Sequence, residues 1–186
     1  MRIALLTDRH AGETATIVGR GPSLLRLRAE DFEPGPVIVL NAAIRVTREL
    51  HLPNPVYSMQ KDGCGILRRH RCATGPRMTQ PEPPEVLIVH SREAPRCFVD
   101  YPARYEFDNP VDFGLNPRSP SSPSAVAIAA LFGCKRIVLL AHDASTTGDT
   151  RLVRDGRIVR GVEAYRNHRD RNEAVAEARS VRLIWR

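Results

Sequence analysis

Thr14–Leu24 reads TATIVGRGPSL, and its interpretation decides the fold. Thr14 to Val18 interleave β-branched and small residues, the pattern of a strand. Gly19, Arg20 and Gly21 follow as a tight turn. Pro22 takes a first helical position, where a missing N–H costs nothing, and Ser23 adds a hydroxyl and an amide at the same tip. Bare backbone N–H groups and a positive helix end then meet at one point, which suits an anion and most often a phosphate. An ordinary βα turn would use the same residues, so the rest of the chain decides between the two.

Outward from that turn, Val37–Leu40 (VIVL), Glu85–Val89 (EVLIV) and Arg136–Ala141 (RIVLLA) are continuous apolar runs between turn residues. Such runs are strands buried on both faces. Pro55–Met59 is a further strand, and Val181–Trp185 the last. Helices are predicted over Pro22–Ala29, Ala42–Leu50, Ser124–Phe132 and Glu163–Ser180. In the third of these, Ser122 is placed as the N-cap and Pro123 at the first helical position; Gly133 ends it. Arg2–Thr7 (RIALLT) is expected to form a hairpin with Thr14–Val18, and Arg151–Val159 a small hairpin of its own. Ile66–Cys72 reads as a helix or a basic loop, and Ala73–Glu85 as a proline-rich loop. Ala94–Pro120 reads as a long excursion over the mouth of the sheet with one short strand. Alternating strands and helices give a single-domain, three-layer α/β sandwich with a mainly parallel sheet.

Composition narrows the setting. No run of about 18 apolar residues exists, so no membrane span or membrane partner is expected. The N-terminus, MRIALLTDRHAGE, is charged too early for a signal peptide, and a cytoplasmic location is the expectation. The four cysteines fit no disulfide scaffold. Cys64, His70 and Cys72 lie close in sequence but include no CxxC pair, and no metal site is assigned to them. The net charge is +7, and only two of the 28 basic residues are lysines. Arginine spread along the whole chain fits a solvated, arginine-biased surface slightly better than one that meets a polyanion, and leaves a polyanionic acceptor open. A homo-oligomer is compatible with all of this.

In open α/β sheets ligands bind outside the carboxyl ends of the strands. The residues at those ends form one set: Gly19 to Ser23, Asn41, Gln60 to Asp62, His90, His142 and Asp143. The ordered motifs IVGRGPSL, VIVLNAAI and SSPSAVAIAALFGCKRIVLLAHDAS resemble the CMP-sialyltransferases of the Campylobacter type. They are equally similar to the wider Rossmann-like family that includes the archaeal 6-hydroxymethylpterin diphosphokinases. Both families carry a G-x-G-P-S turn, an asparagine after the second strand and a late A-x-x-x-G-x-x-x-I-x-L-x-G-x-D block.

The resemblance implies a Rossmann-like fold and a glycosyltransferase. A CMP- or UDP-type nucleotide-sugar donor would meet Gly19, Arg20, Gly21, Pro22, Ser23 and Asn41, with Ser121 or Ser122 at a helix start against it. Gln60 stands where the sialyltransferases carry a second asparagine. Ser145 and Arg151 fall where two tyrosines hold the leaving phosphate, and an arginine there suits a diphosphate as well. The base of those enzymes is a downstream histidine, here His168, which shares a predicted helix face with Tyr165 and Asn172. His142, beside Asp143, is the rival base. The acceptor would be a hydroxyl on a glycan or a nucleic acid. The pterin branch implies instead a diphosphokinase with Mg2+ held by Asp62 and Asp143. A non-catalytic nucleotide or nucleic-acid binder is the third reading.

Overall fold

The computed structural model describes residues 1–61, 85–90, 101, 103–154, 156–161 and 163–186. Seven strands form one sheet: β1 (Thr14–Val18), β2 (Val37–Leu40), β3 (Val56–Gln60), β4 (Val86–His90), β5 (Arg104–Phe107), β6 (Arg136–Leu140) and β9 (Arg182–Trp185). Their order is β5-β4-β3-β2-β1-β6-β9, and every pairing is parallel. The remaining pair, β7 (Leu152–Arg154) and β8 (Arg157–Val159), forms the small antiparallel hairpin. The helices are α1 (Ile44–Arg48), α2 (Asn109–Phe113), α3 (Ser121–Leu131), α4 (Asp143–Thr146) and α5 (His168–Ala178). Together they make the three-layer, Rossmann-like α/β sandwich predicted from the strand pattern.

The sheet is buried on both faces, which is why its strands are apolar without alternation. Ile38 and Leu40 face one core with Ile17, Tyr57 and the residues of α3. Val37 and Val39 face the other, with Leu24, Ile44 and Val153. α3 is buried from Ser122 to Ala129, so its apolar residues run all round it. From β1 the chain winds through β2 to β5 on one side and then returns to place β6 on the other. The winding therefore reverses between β1 and β6, the crevice where such sheets bind ligands.

Several expectations are corrected. Arg2–Thr7 does not pair with β1: Ile3–Leu6 is a 3-10 turn, and Arg2 bridges to Glu106 beside β5. Both edges of β1 are taken by β2 and β6, and the buried pair Ile3 and Leu6 is spaced by three, a helical spacing. The Pro22 element is a 3-10 turn ending at Arg26. α3 begins at Ser121, so Pro123 is its third residue and Ser122 caps nothing. The helix expected from Glu163 opens as a 3-10 turn over Glu163–Asn167 and becomes α-helical at His168. The long excursion holds β5 and also α2, capped by Asp108 accepting from the Val111 N–H. Ile66–Cys72 and nearly all of Ala73–Glu85 lie outside the described residues.

Ile128 of α3 is fully buried against the sheet. Ile128→Ala should destabilise the fold by about 2–5 kcal/mol, measured by urea unfolding, with the slope of the transition unchanged.

Candidate functional site

The loops after β1 and β6 are stitched together across the reversal of winding. The Gly19 N–H donates to the Leu140 carbonyl and the Gly21 N–H to that of Ala141, both at 2.8 Å. At Asp143 the carboxylate accepts from the Ser23 backbone N–H at 3.2 Å and from its hydroxyl at 2.7 Å. A Cβ on Gly21 would run into that carboxylate, and one on Gly19 into the Ala141 carbonyl. The two glycines are therefore demanded by close approach. Over the turn lies β7, whose Val153 N–H donates to the Arg20 carbonyl at 2.7 Å.

After β2, Asn41 adopts a φ of 49°, a left-handed conformation that asparagine tolerates better than most residues. Its Oδ1 accepts from the Lys61 N–H at 3.1 Å and its Nδ2 donates to Ser121 Oγ at 3.3 Å. Asn41 thus ties the ends of β2 and β3 to the start of α3. Gln60 supports this from behind, donating to Ser58 Oγ at 2.8 Å and to the Asn41 carbonyl at 3.3 Å.

These segments enclose a cavity of about 370 Å³. Gly19, Arg20, Gly21 and Asn41 line one side, and Ser121 and Ser122 the start of α3. His142, Asp143, Ser145, Arg151 and His168 complete the expected residues on its wall. Pro22, Ser23 and Gln60 do not line it: Ser23 is turned onto Asp143, and Gln60 is spent on the backbone behind Asn41. His90 is buried against Phe107, at a ring separation of 5.1 Å, and is not on the wall. Asp62 lies outside the described residues. Lys61, Arg118 and Tyr165 join the wall. Lys61 could be read from its strand-end position and Tyr165 from its helix spacing. Arg118 arrives from the proline-rich excursion, where no periodicity points to it.

The wall is strongly cationic. Arg20, Lys61, Arg118 and Arg151 stand against one carboxylate, Asp143, which already accepts from Ser23. Arg151 is paired with Asp149, its Nε and Nη2 donating to the two carboxylate oxygens at 2.9 and 2.7 Å. Among the described residues neither Arg20 nor Arg118 meets a carboxylate. Both histidines are held neutral. Burial pushes His142 down to about 4, against the pull of the Leu140 carbonyl. Burial, with Arg171 and Lys61 nearby, pushes His168 down to about 4. The Tyr165 ring meets that of His168 edge-on at 5.2 Å. Among the described residues no three His, Cys, Asp or Glu side chains gather as a metal site, and Cys64, His70 and Cys72 lie outside them. Nor, among the described residues, is any helix long and apolar enough to cross a membrane.

No protein-family model matches this chain, and no curated protein matches it either.

The histidines predict an acid-side loss of stability. Above the ordinary value of 6.5 each is neutral in both folded and unfolded chains. As pH falls from 6.5 towards 4, the unfolded chain takes up protons that the folded one refuses. Stability should drop by up to about 1.4 kcal/mol per pH unit for each histidine. Denaturant titrations between pH 7.5 and 4.5 check this, and the slope should be shallower in His142→Gln. The stitch predicts that Gly21→Ala, by displacing Asp143, costs about 1–3 kcal/mol, read as a lowered denaturation midpoint.

Proposed function

We propose that the cavity binds a nucleotide-activated sugar and that the protein transfers the sugar to a hydroxyl acceptor. The observation that carries this reading is the pair Arg20 and Arg118, cations without carboxylate partners among the described residues, on the wall of a cavity at the reversal of winding. A wall that combines cations with neutral hydrogen-bonding groups suits a ligand with a phosphate at one end and an uncharged ring at the other.

In this mechanism the acceptor hydroxyl attacks the anomeric carbon of the donor. The bond from that carbon to the phosphate oxygen breaks, and its electron pair leaves with the phosphate. Arg20, Lys61 and Arg118 stabilise the departing charge, with Arg151 able to exchange Asp149 for a phosphate oxygen. His168, neutral and on the wall, takes the acceptor's proton. An anionic donor raises the basicity of His168, because its charge offsets Lys61 and Arg171, which otherwise oppose protonation. The acceptor is a hydroxyl of a glycan or a nucleic acid.

The alternative of a Mg2+-dependent diphosphokinase requires free carboxylates for the metal. Asp143 already accepts two hydrogen bonds from Ser23, which favours the sugar-transfer reading.

Calorimetry with CMP, CDP and UDP tests the proposal. At least one should bind, and Arg20→Ala and Arg118→Ala should each weaken it about tenfold. His168→Asn should leave binding within about threefold while slowing donor turnover or hydrolysis about a hundredfold. Absence of binding by all three nucleotides contradicts the proposal, and binding without turnover of any nucleotide-sugar reduces it to a nucleotide binder.

A further inference from the structure

Ser122 is 4% exposed and sits on the cavity wall between two side chains that fix the direction of its hydroxyl. The chain of hydrogen bonds can be oriented from one end. His142 Nδ1 lies 2.9 Å from the Leu140 carbonyl, which can only accept, so Nδ1 carries the proton. The ring is neutral, so Nε2 is a bare acceptor. Ser122 Oγ lies 3.0 Å from Nε2 and must therefore donate its proton to it. With that proton committed, Ser122 Oγ can only accept from Asn172, whose Nδ2 lies 2.8 Å away in a fully buried side chain. One lone pair of the serine oxygen is left, and Ser122 presents to a ligand an acceptor and no donor.

Its neighbour has the opposite polarity. Ser121 Oγ accepts from Asn41 Nδ2, and its own proton has no acceptor among the described residues. Ser121 can donate to a ligand. Side by side on one wall, the two serines thus offer one donor and one acceptor, in an order set by buried groups behind them.

We infer that Ser121 and Ser122 read the ribose of the nucleotide through its vicinal 2′- and 3′-hydroxyls. This rests on the nucleotide reading proposed above. A phosphate oxygen suits Ser121 but not Ser122, because an anionic acceptor facing an acceptor lone pair is repelled. A vicinal diol satisfies both, since each hydroxyl donates or accepts. The ribose is joined to phosphate as the transferred sugar is, and unlike that sugar it stays with the leaving nucleotide, which Arg20 and Arg118 would hold. Asn172, behind the wall, and His142, on it, are then positioning residues for Ser122: together they set the polarity of its hydroxyl.

Calorimetry of the whole chain with UDP, 2′-deoxy-UDP and 3′-deoxy-UDP, and with the matching CDP series, tests this. Loss of one ribose hydroxyl should weaken binding about tenfold. In Ser122→Ala that penalty should shrink to below about threefold, with pyrophosphate binding unchanged, which a merely structural serine would not produce. If that variant fails to fold, the wild-type comparison still decides. Deoxynucleotides binding within about twofold of their parents overturn the inference and leave the nucleotide reading standing, as does sensitivity to the base alone. Failure of UDP and CDP to bind overturns both.

Discussion

The contact on which the site depends is the Asp143 carboxylate accepting two hydrogen bonds from Ser23 over a bare Gly21. It joins the loop after the first strand to the loop after the sixth, at the place where the order of the sheet reverses. A carboxylate there forces a glycine opposite, and the glycine lets the backbone pass close enough for its N–H to reach the Ala141 carbonyl. Without that closure the two loops would part and the cavity between them would open. The Asp143 carboxylate is thus engaged in closing the two loops on each other.

A second constraint lies behind the wall. Asn41, in a left-handed conformation, spends its amide on Lys61 and Ser121. Gln60 spends its own on Ser58 and the Asn41 backbone. These amides hold strand ends and a helix start in register, so the groups left to face the cavity are cations, serine oxygens and a histidine. The functional surface is what remains after the supporting hydrogen bonds are counted.

The sheet was legible in the sequence because burial on both faces writes an unbroken apolar run, as in VIVL and RIVLLA. The gathering of Gly19, Arg20, Asn41, His142 and Asp143 was legible too, since strand ends of a parallel sheet share one edge, whereas Ser122 and His168, on helices, were reached only through the resemblance. Ile3–Leu6 was not: a six-residue apolar run shows no period, and only the burial of residues three apart tells a 3-10 turn from a strand. The behaviour of Ser122 was also hidden. It depends on a backbone carbonyl that fixes the His142 tautomer, and carbonyl positions leave no trace in residue identity. Arg118 was hidden because nothing local indicates where a proline-rich segment returns to the sheet. Asp143 shows a different limit: an acidic residue at a strand end is the same letter whether it binds a metal, orients a base or closes a loop.

The account stands on one claim, that the cleft between the first and sixth strands grips a phosphorylated nucleoside. A crystal structure of the protein grown with CDP or UDP measures this most directly. The account predicts phosphate oxygens within hydrogen-bond distance of Arg20 and Arg118, and the ribose against Ser121 and Ser122. An empty cleft at saturating nucleotide, or nucleotide bound on another face, would contradict it.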